Sequence, residues 1–374
     1  METRNKHGFL RKASLGGLLA VGSFALAGCD VQAPGGPIGK FLRMGWPEGI
    51  TPEAHELGNF WVWTWVVAWI IGIIMWGLFF WSLFRFSAKR AKRLGKGEFP
   101  RQTGYNIGLE LVLTCVPVLI VMGLFFFSTQ AQDQATALDK DPKVKVDVTA
   151  FQWNWKFGYG EVDSSLSPTG STYDGVDQAR TASASDNSDY TSESENAKEK
   201  ETVGTGPVNG NSKSDLSYLH YDKIETLGTS DEIPVLVLPS HTAIQFDLAS
   251  ADVVHSFWVP EFLFKRDVFP YPEENKSQSK FQITEIEREG AFVGRCAEMC
   301  GTYHAMMNFE VRVVTPEKFT QYLKFRMDNP NATNAEALSS IGEAPYATST
   351  SPFKTGRTET RSVKDGSNTV NLNS

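Results

Sequence analysis

The chain has 374 residues, with 36 Lys and Arg against 43 Asp and Glu, for a formal net charge of −7. That length leaves room for more than one folding unit, and the acidic balance argues against a nucleic-acid partner, which a basic surface would announce. Four cysteines, Cys29, Cys115, Cys296 and Cys300, are too few for a disulfide scaffold.

The N-terminus has the form of an export signal. Arg4, Lys6, Arg11 and Lys12 precede a short apolar run, residues 18–27, which leads into Leu26-Ala27-Gly28-Cys29. Small residues running directly into a cysteine predict a lipoprotein signal over 1–28, with Cys29 as the lipidated first residue of the mature chain. An ordinary signal peptide with an incidental cysteine is the alternative. Residues 29–56 then form an extracytoplasmic N-terminal segment.

No charged residue lies between Glu56 and Arg85, and residues 60–84 are almost continuously apolar. At 1.5 Å per residue this run is long enough to cross a hydrocarbon core of about 30 Å. Trp61, Trp63 and Trp65 crowd its first turns, where an interfacial aromatic belt belongs. A second uncharged stretch, residues 111–132, contains Pro117, which a membrane helix tolerates. Residues 57–132 are therefore predicted to form a transmembrane helical hairpin. Its connector, 85–104, carries Arg85, Lys89, Arg90, Lys92, Arg93, Lys96 and Arg101 against Glu98 alone, which puts the connector in the cytoplasm and both outer ends outside. The export signal points the same way.

From Val144 the pattern changes to period two: Val144, Val146 and Val148 alternate with Lys145, Asp147 and Thr149. Strand-like runs follow at 151–159, 233–238, 243–248, 280–286, 290–296 and 307–314, separated by Pro, Gly and Ser clusters. Short strands with turn signals between them predict a β-sandwich over 143–328. The fold class is thus an α+β membrane protein, a two-helix transmembrane hairpin followed by an extracytoplasmic β-sandwich. Residues 161–230 interrupt the strand pattern with 13 acidic and five basic residues, a net charge of −8, and few large apolar side chains. Such a composition buries too little apolar surface to offset its ordering entropy. It predicts an unstructured insertion within one domain, either a solubilising loop or an acidic docking surface. The tail, 329–374, is also polar and is expected to be mobile.

The chemistry concentrates in Cys296-Ala297-Glu298-Met299-Cys300-Gly301-Thr302-Tyr303-His304-Ala305-Met306-Met307. In an oxidising compartment two cysteines suggest a disulfide, but a disulfide has no use for His304 or Met307. Zinc could take Cys and His yet gains nothing from a thioether. Thiolate, imidazole and thioether together suit copper, and a second thiolate allows two sulfurs to bridge two ions. Such a site needs another imidazole. His55, His220 and His241 lie in contexts without supporting pattern. His255, in Asp252-Val253-Val254-His255-Ser256-Phe257-Trp258-Val259-Pro260, is walled by apolar residues and is the preferred partner.

On this loop, and on the Asp252-Val253-x-His255-Ser256 element, the chain resembles subunit II of the cytochrome c oxidases, whose loop reads Cys-x-Glu-x-Cys-Gly-x-x-His-x-x-Met. The likeness covers roughly residues 50–160 and 231–325. It implies a cupredoxin-like β-sandwich carrying a binuclear copper A centre. Position by position, it implies Cys296 and Cys300 as bridges, His304 and the Glu298 carbonyl on one copper, and His255 and Met307 on the other. It also implies a magnesium or manganese ion shared with subunit I through the Glu298 side chain, and electron acceptance from a c-type cytochrome at Trp153, with Trp155 left to sheet packing. Glu110, just before the second span, matches a glutamate at the mouth of a proton channel; a plain interfacial carboxylate is the alternative. Subunits I and III are the implied partners. The acidic insertion resembles that of actinobacterial relatives, implying a donor bound in a membrane cytochrome bc complex.

Departures also bear on the reading. Pro270 is followed by Tyr271-Pro272 where relatives often carry Pro-Gly-Arg, which puts a contact to a neighbouring subunit in doubt. No Cys-x-x-Cys-His occurs, so the chain has no covalent heme motif of its own. A copper chaperone would be a single-span thioredoxin fold, and a quinol oxidase subunit would lack the cysteines. A lipoprotein with a structural disulfide is the remaining rival.

Overall fold

The computed structural model describes residues 32–96, 104–138, 140–186 and 216–352. They divide into a helical unit and a β unit. The predicted lipoprotein signal, 1–28, and Cys29 lie outside the described residues.

The helical unit contains a short helix α1 (Gly36–Leu42), the long α2 (Pro52–Arg85), a basic turn of helix α3 (Ala88–Arg93) and the long α4 (Ile107–Thr136). With 34 and 30 residues, α2 and α4 are about 51 Å and 45 Å long. Their most apolar windows have mean hydropathies of 2.2 and 2.5 and are nowhere covered by protein. Ile73, Trp76, Phe84, Leu113 and Leu119 all stand exposed, which water would penalise and lipid would not. Both are transmembrane helices by length and composition. Near the start of α2, Trp61 stacks on Trp46 with ring centroids 4.2 Å apart and donates its indole N–H to the Arg43 carbonyl at 3.0 Å. Pro117 sits inside α4.

The β unit begins with Pro47–His55, the stretch entering α2, and resumes at Gln134. Its strands are β1 (Val144–Phe151), β2 (Asn154–Val162), β3 (Tyr173–Asp174), β4 (Glu225–Leu227), β5 (Val235–Pro239), β6 (Ile244–Ser250), β7 (His255–Val259), β8 (Phe264–Val268), β9 (Lys280–Ile283), β10 (Gly290–Cys296) and β11 (Asn308–Val314). One sheet runs β3-β2-β1-β6-β9, with β4 also on β2; the other runs β5-β11-β10-β7-β8. The period-two alternation of β1 turns Val144, Val146 and Val148 into the space between the sheets. Trp155, Phe157, Phe246 and Phe281 join them from the same sheet, and Phe257, Phe309 and Val311 from the facing one. Phe309 is central to this core: it stacks on Phe257 at 4.7 Å and meets Trp155 edge-on at 5.2 Å.

Two expectations need correction. The insertion 161–230 is not unstructured throughout. Its two ends form β3, the helix α5 (Gln178–Asp186) and β4, and bury Leu166, Tyr173, Leu219 and Ile224. The few apolar residues of the segment are concentrated at these ends, so local burial suffices there although the average composition forbids it. Residues 187–215 lie outside the described residues. The tail is not simply mobile either. Just before it, helix α6 (Pro316–Asp328), capped by Thr315, buries Phe319, Tyr322 and Leu323, and within the tail α7 (Asn334–Ser340), with a Thr333/Glu336 capping box, buries Ala337 and Leu338; residues 353–374 lie outside the described residues. Beyond α7, the backbone N–H groups of Thr348 and Ser349 donate to the buried Glu310 carboxylate at 2.7 Å each.

Candidate metal centre

Strand pairing brings the candidate ligands together. Cys296 ends β10 and His255 opens β7, and these strands are hydrogen-bonded neighbours in which Cys296 faces Phe257. The chain then loops through Cys300 and a single turn, His304–Met306, to Met307, which immediately precedes β11. The Cys296 N–H donates to the Met307 carbonyl at 3.0 Å, closing the loop at its base. Gly301 has φ 118°, a conformation that suits glycine. A Cβ there would also sit 3.2 Å from the Gln152 amide and the Trp153 ring.

Five donor side chains converge. Cys296 Sγ lies 3.7 Å from Cys300 Sγ and 3.8 Å from His255 Nδ1, and Cys300 Sγ lies 3.5 Å from His304 Nδ1 and 3.8 Å from Met307 Sδ. The Glu298 carbonyl is 3.2 Å from Cys296 Sγ. A disulfide requires about 2.05 Å between sulfurs, and both cysteines are free thiols. Ligands about 2.0–2.3 Å from a shared ion in tetrahedral array stand about 3.3–3.8 Å apart, which is the spacing found. The donor set, two thiols, two imidazoles, a thioether and a carbonyl, therefore fits soft metal ions held close together.

His255 is fully buried, and its Nε2 meets Asp252 Oδ1 at 2.8 Å. That contact puts the ring proton on Nε2 and leaves the Nδ1 lone pair facing Cys296. Asp252 is held in turn by the N–H groups of Gln152 and Val253, at 2.7 Å each. Burial raises both thiols. For Cys296, the contact with His255 and the backbone of Glu298 and Ser256 reverse this and bring it down to about 7. Cys300, facing the Cys296 charge as well as burial, is pushed up to about 12. Ionising both adjacent thiols thus calls for positive charge between them.

A rim surrounds the ligands. Trp153 donates its indole N–H to the Cys300 carbonyl at 3.1 Å, Gln152 donates to the same oxygen at 2.8 Å, and Tyr303 packs edge-on against Trp153 at 4.8 Å. Trp155 is fully buried, 6.3 Å from the His255 ring, and donates to the Met307 carbonyl at 3.3 Å. Glu298 is not among the converging side chains. Its carboxylate is 43% exposed, with Lys265 Nζ 3.9 Å away. Glu110 is exposed in the first turn of α4, in the helical unit. The other described histidines find carboxylates instead: His55 meets Glu287 at 2.6 Å, His241 meets Glu285 at 2.8 Å, and His220 lies between Asp147 and Asp247. Sequence reasoning assigned no role to Asp252 or Gln152. The three-residue spacing between Asp252 and His255 was the available signal for the first; nothing local signals the second.

A sequence profile described as "Cytochrome C oxidase subunit II, periplasmic domain" matches residues 214–314. "Cytochrome c oxidase subunit 2" of Corynebacterium diphtheriae is 65% identical, with 98% of each chain covered. The protein of the same name in Corynebacterium glutamicum is 63% identical, with 99% of each covered. "Probable cytochrome c oxidase subunit 2" of Nocardia farcinica is 51% identical, over 93% of this chain and 89% of that one. With identity this high along nearly its whole length, the chain belongs to the cytochrome c oxidase subunit 2 family.

Proposed function

We propose that this chain is the electron-accepting relay of its oxidase, built around a two-copper A centre. Cys296 and Cys300 would hold both ions, with His304 and the Glu298 carbonyl on one and His255 and Met307 on the other. When bound, the pair supplies a one-electron redox centre whose charge change is spread over both ions and both sulfurs. The observation that carries this reading is the convergence of Cys296, Cys300, His255, His304 and Met307 within 3.5–3.8 Å contacts.

The residues of the chain do the rest. Loop and strands are tied at Cys296–Met307 and at Ala297–Ser256, so the ligands shift little between redox states. Trp155, Phe257 and Phe309 keep water from the inner side. Trp153, bonded to the Cys300 carbonyl, is where electrons from a c-type cytochrome are accepted. The exposed Glu298 carboxylate offers one ligand for a magnesium or manganese ion completed by subunit I, which takes the electrons onward to reduce oxygen to water with proton pumping. Glu110 stands at the cytoplasmic mouth of a proton path. Subunits I and III lie against the lipid-exposed helices in the cytoplasmic membrane, with the β unit outside, the connector 85–104 inside and Cys29 lipidated after removal of 1–28. The net −8 insertion docks a donor held in a membrane cytochrome bc complex.

The test is Cys300→Ser in the assembled oxidase. A bridging role requires loss of the paramagnetic signal shared between two copper nuclei and loss of electron uptake from reduced cytochrome. An unchanged spectrum in that variant rules the assignment out.

A further inference from the structure

A second cluster of metal-ligating side chains lies away from the sulfur site, on the outward face of the β3-β2-β1-β6-β9 sheet. Strands β1 and β6 run parallel in a register that sets Asp147 directly beside Asp247. Like charges so placed repel, and the sheet's own answer is incomplete: Lys280, opposite Asp247 on β9, reaches its Oδ2 at 2.9 Å but leaves Asp147 without a cation of its own. The returning end of the insertion closes over this pair. It brings His220, with Nδ1 3.7 Å from Asp147 Oδ1 and Nε2 3.8 Å from Asp247 Oδ2. One donor atom from each of Asp147, His220 and Asp247 falls within 4.8 Å of the others.

Asp222 is the independent observation that points to a ligand. It is only 3% exposed, and its Oδ1 makes no hydrogen bond. The carboxylate is pressed over Gly158, the residue opposite Asp147, where any Cβ would collide with it. Burial, reinforced by the neighbouring Asp147 charge, pushes Asp222 up to about 8. Asp222 shares a side-chain hydrogen bond with Asp147, and two buried carboxyl groups so placed are costly to ionise together unless a cation takes the place of the shared proton.

We propose that Asp147, His220 and Asp247, backed by Asp222, form a second metal site, for a borderline divalent cation of the zinc type. The donor set decides the class. One imidazole and carboxylate oxygens with no sulfur suit zinc and disfavour cuprous copper. A single ion takes one imidazole nitrogen, and the 3.7 and 3.8 Å contacts are made by different ones; with one donor atom per residue the set spans up to 4.8 Å, so the three side chains must draw together by about 1 Å to reach the roughly 3.3–3.6 Å between donors on one zinc. Two of the three ligands are on the sheet and His220 is on the insertion, so the cation clamps residues 216–222 to β1 and β6. This fixes where the acidic segment leaves the domain. The inference does not depend on the copper reading.

The test uses the copper-loaded full-length chain in detergent, dialysed to equilibrium against graded Zn2+, with zinc and copper counted by mass spectrometry. The site predicts one zinc per chain beyond the copper, an affinity at least tenfold weaker in His220→Gln and in Asp147→Asn, and no change in His241→Gln. Zinc should also raise the melting temperature of the wild type and not of the two site variants, and the bound zinc should show nitrogen and oxygen neighbours without sulfur in its X-ray absorption. Zinc uptake that persists undiminished in His220→Gln, or a sulfur-coordinated ion, overturns the site. So does absence of uptake combined with a lower melting temperature in His220→Gln, which makes His220 a protonic bridge between the two aspartates.

Discussion

Asp252 decides which nitrogen of His255 is free for a metal, because its 2.8 Å contact occupies Nε2. Replacing it by Asn keeps the shape but removes the charge that fixes the tautomer and raises ligand basicity. Asp252→Asn should weaken copper retention about 10- to 100-fold in chelator competition. Unaltered retention would show that the loop alone sets the geometry. Met307 is 1% exposed between the cysteines and the core, and Leu has nearly its volume. Met307→Leu should therefore fold with less than about 1.5 kcal/mol of cost and keep its copper, but shift the reduction potential as a weak sulfur ligand is lost. A potential equal to that of the wild type in redox titration would remove Met307 from the ligand set.

At the scale of elements, prediction meets its limits in strands that do not alternate. The valine ladder of β1 and the run of β10 were legible because one face is buried and the other wet. The stretch His255–Val259 is buried at four of five positions, so its period is invisible and it was not among the expected strands. Phe264–Val268 carries Lys265, Arg266 and Asp267 because it is the edge strand of its sheet, where charges deter pairing with other chains. The converging sulfur and imidazole side chains were legible at the level of residue type and spacing. Their supports were not, since Gln152 and Trp153 reach the Cys300 carbonyl from a turn 147 or more residues away in sequence. The insertion and tail were misjudged because their averages hide small apolar clusters. Two predictions belong here. Leu338→Ala, at a fully buried position of α7, should cost about 2–5 kcal/mol in denaturant unfolding, whereas a mobile tail would show no loss. Replacing 187–215 by a short Gly/Ser linker should leave the copper spectrum intact and slow reduction by the native donor; unchanged kinetics would end the docking idea. Removing all of 161–230 would instead strip Leu166, Tyr173, Leu219 and Ile224 from the β unit and unfold it.

For the whole molecule, two apolar helices without protein cover and a β unit with a sulfur- and imidazole-rich loop divide the labour between anchoring and electron transfer. Each half is incomplete by itself: the helices present large apolar side chains to their surroundings, and a relay needs both a donor and an acceptor. The metal content of the purified full-length protein, together with its paramagnetic spectrum, tests the account most directly. Two coppers per chain, with one unpaired electron shared over both nuclei, is the expected result. One copper per chain with a signal confined to a single nucleus, or a Cys296–Cys300 disulfide without copper, would contradict it.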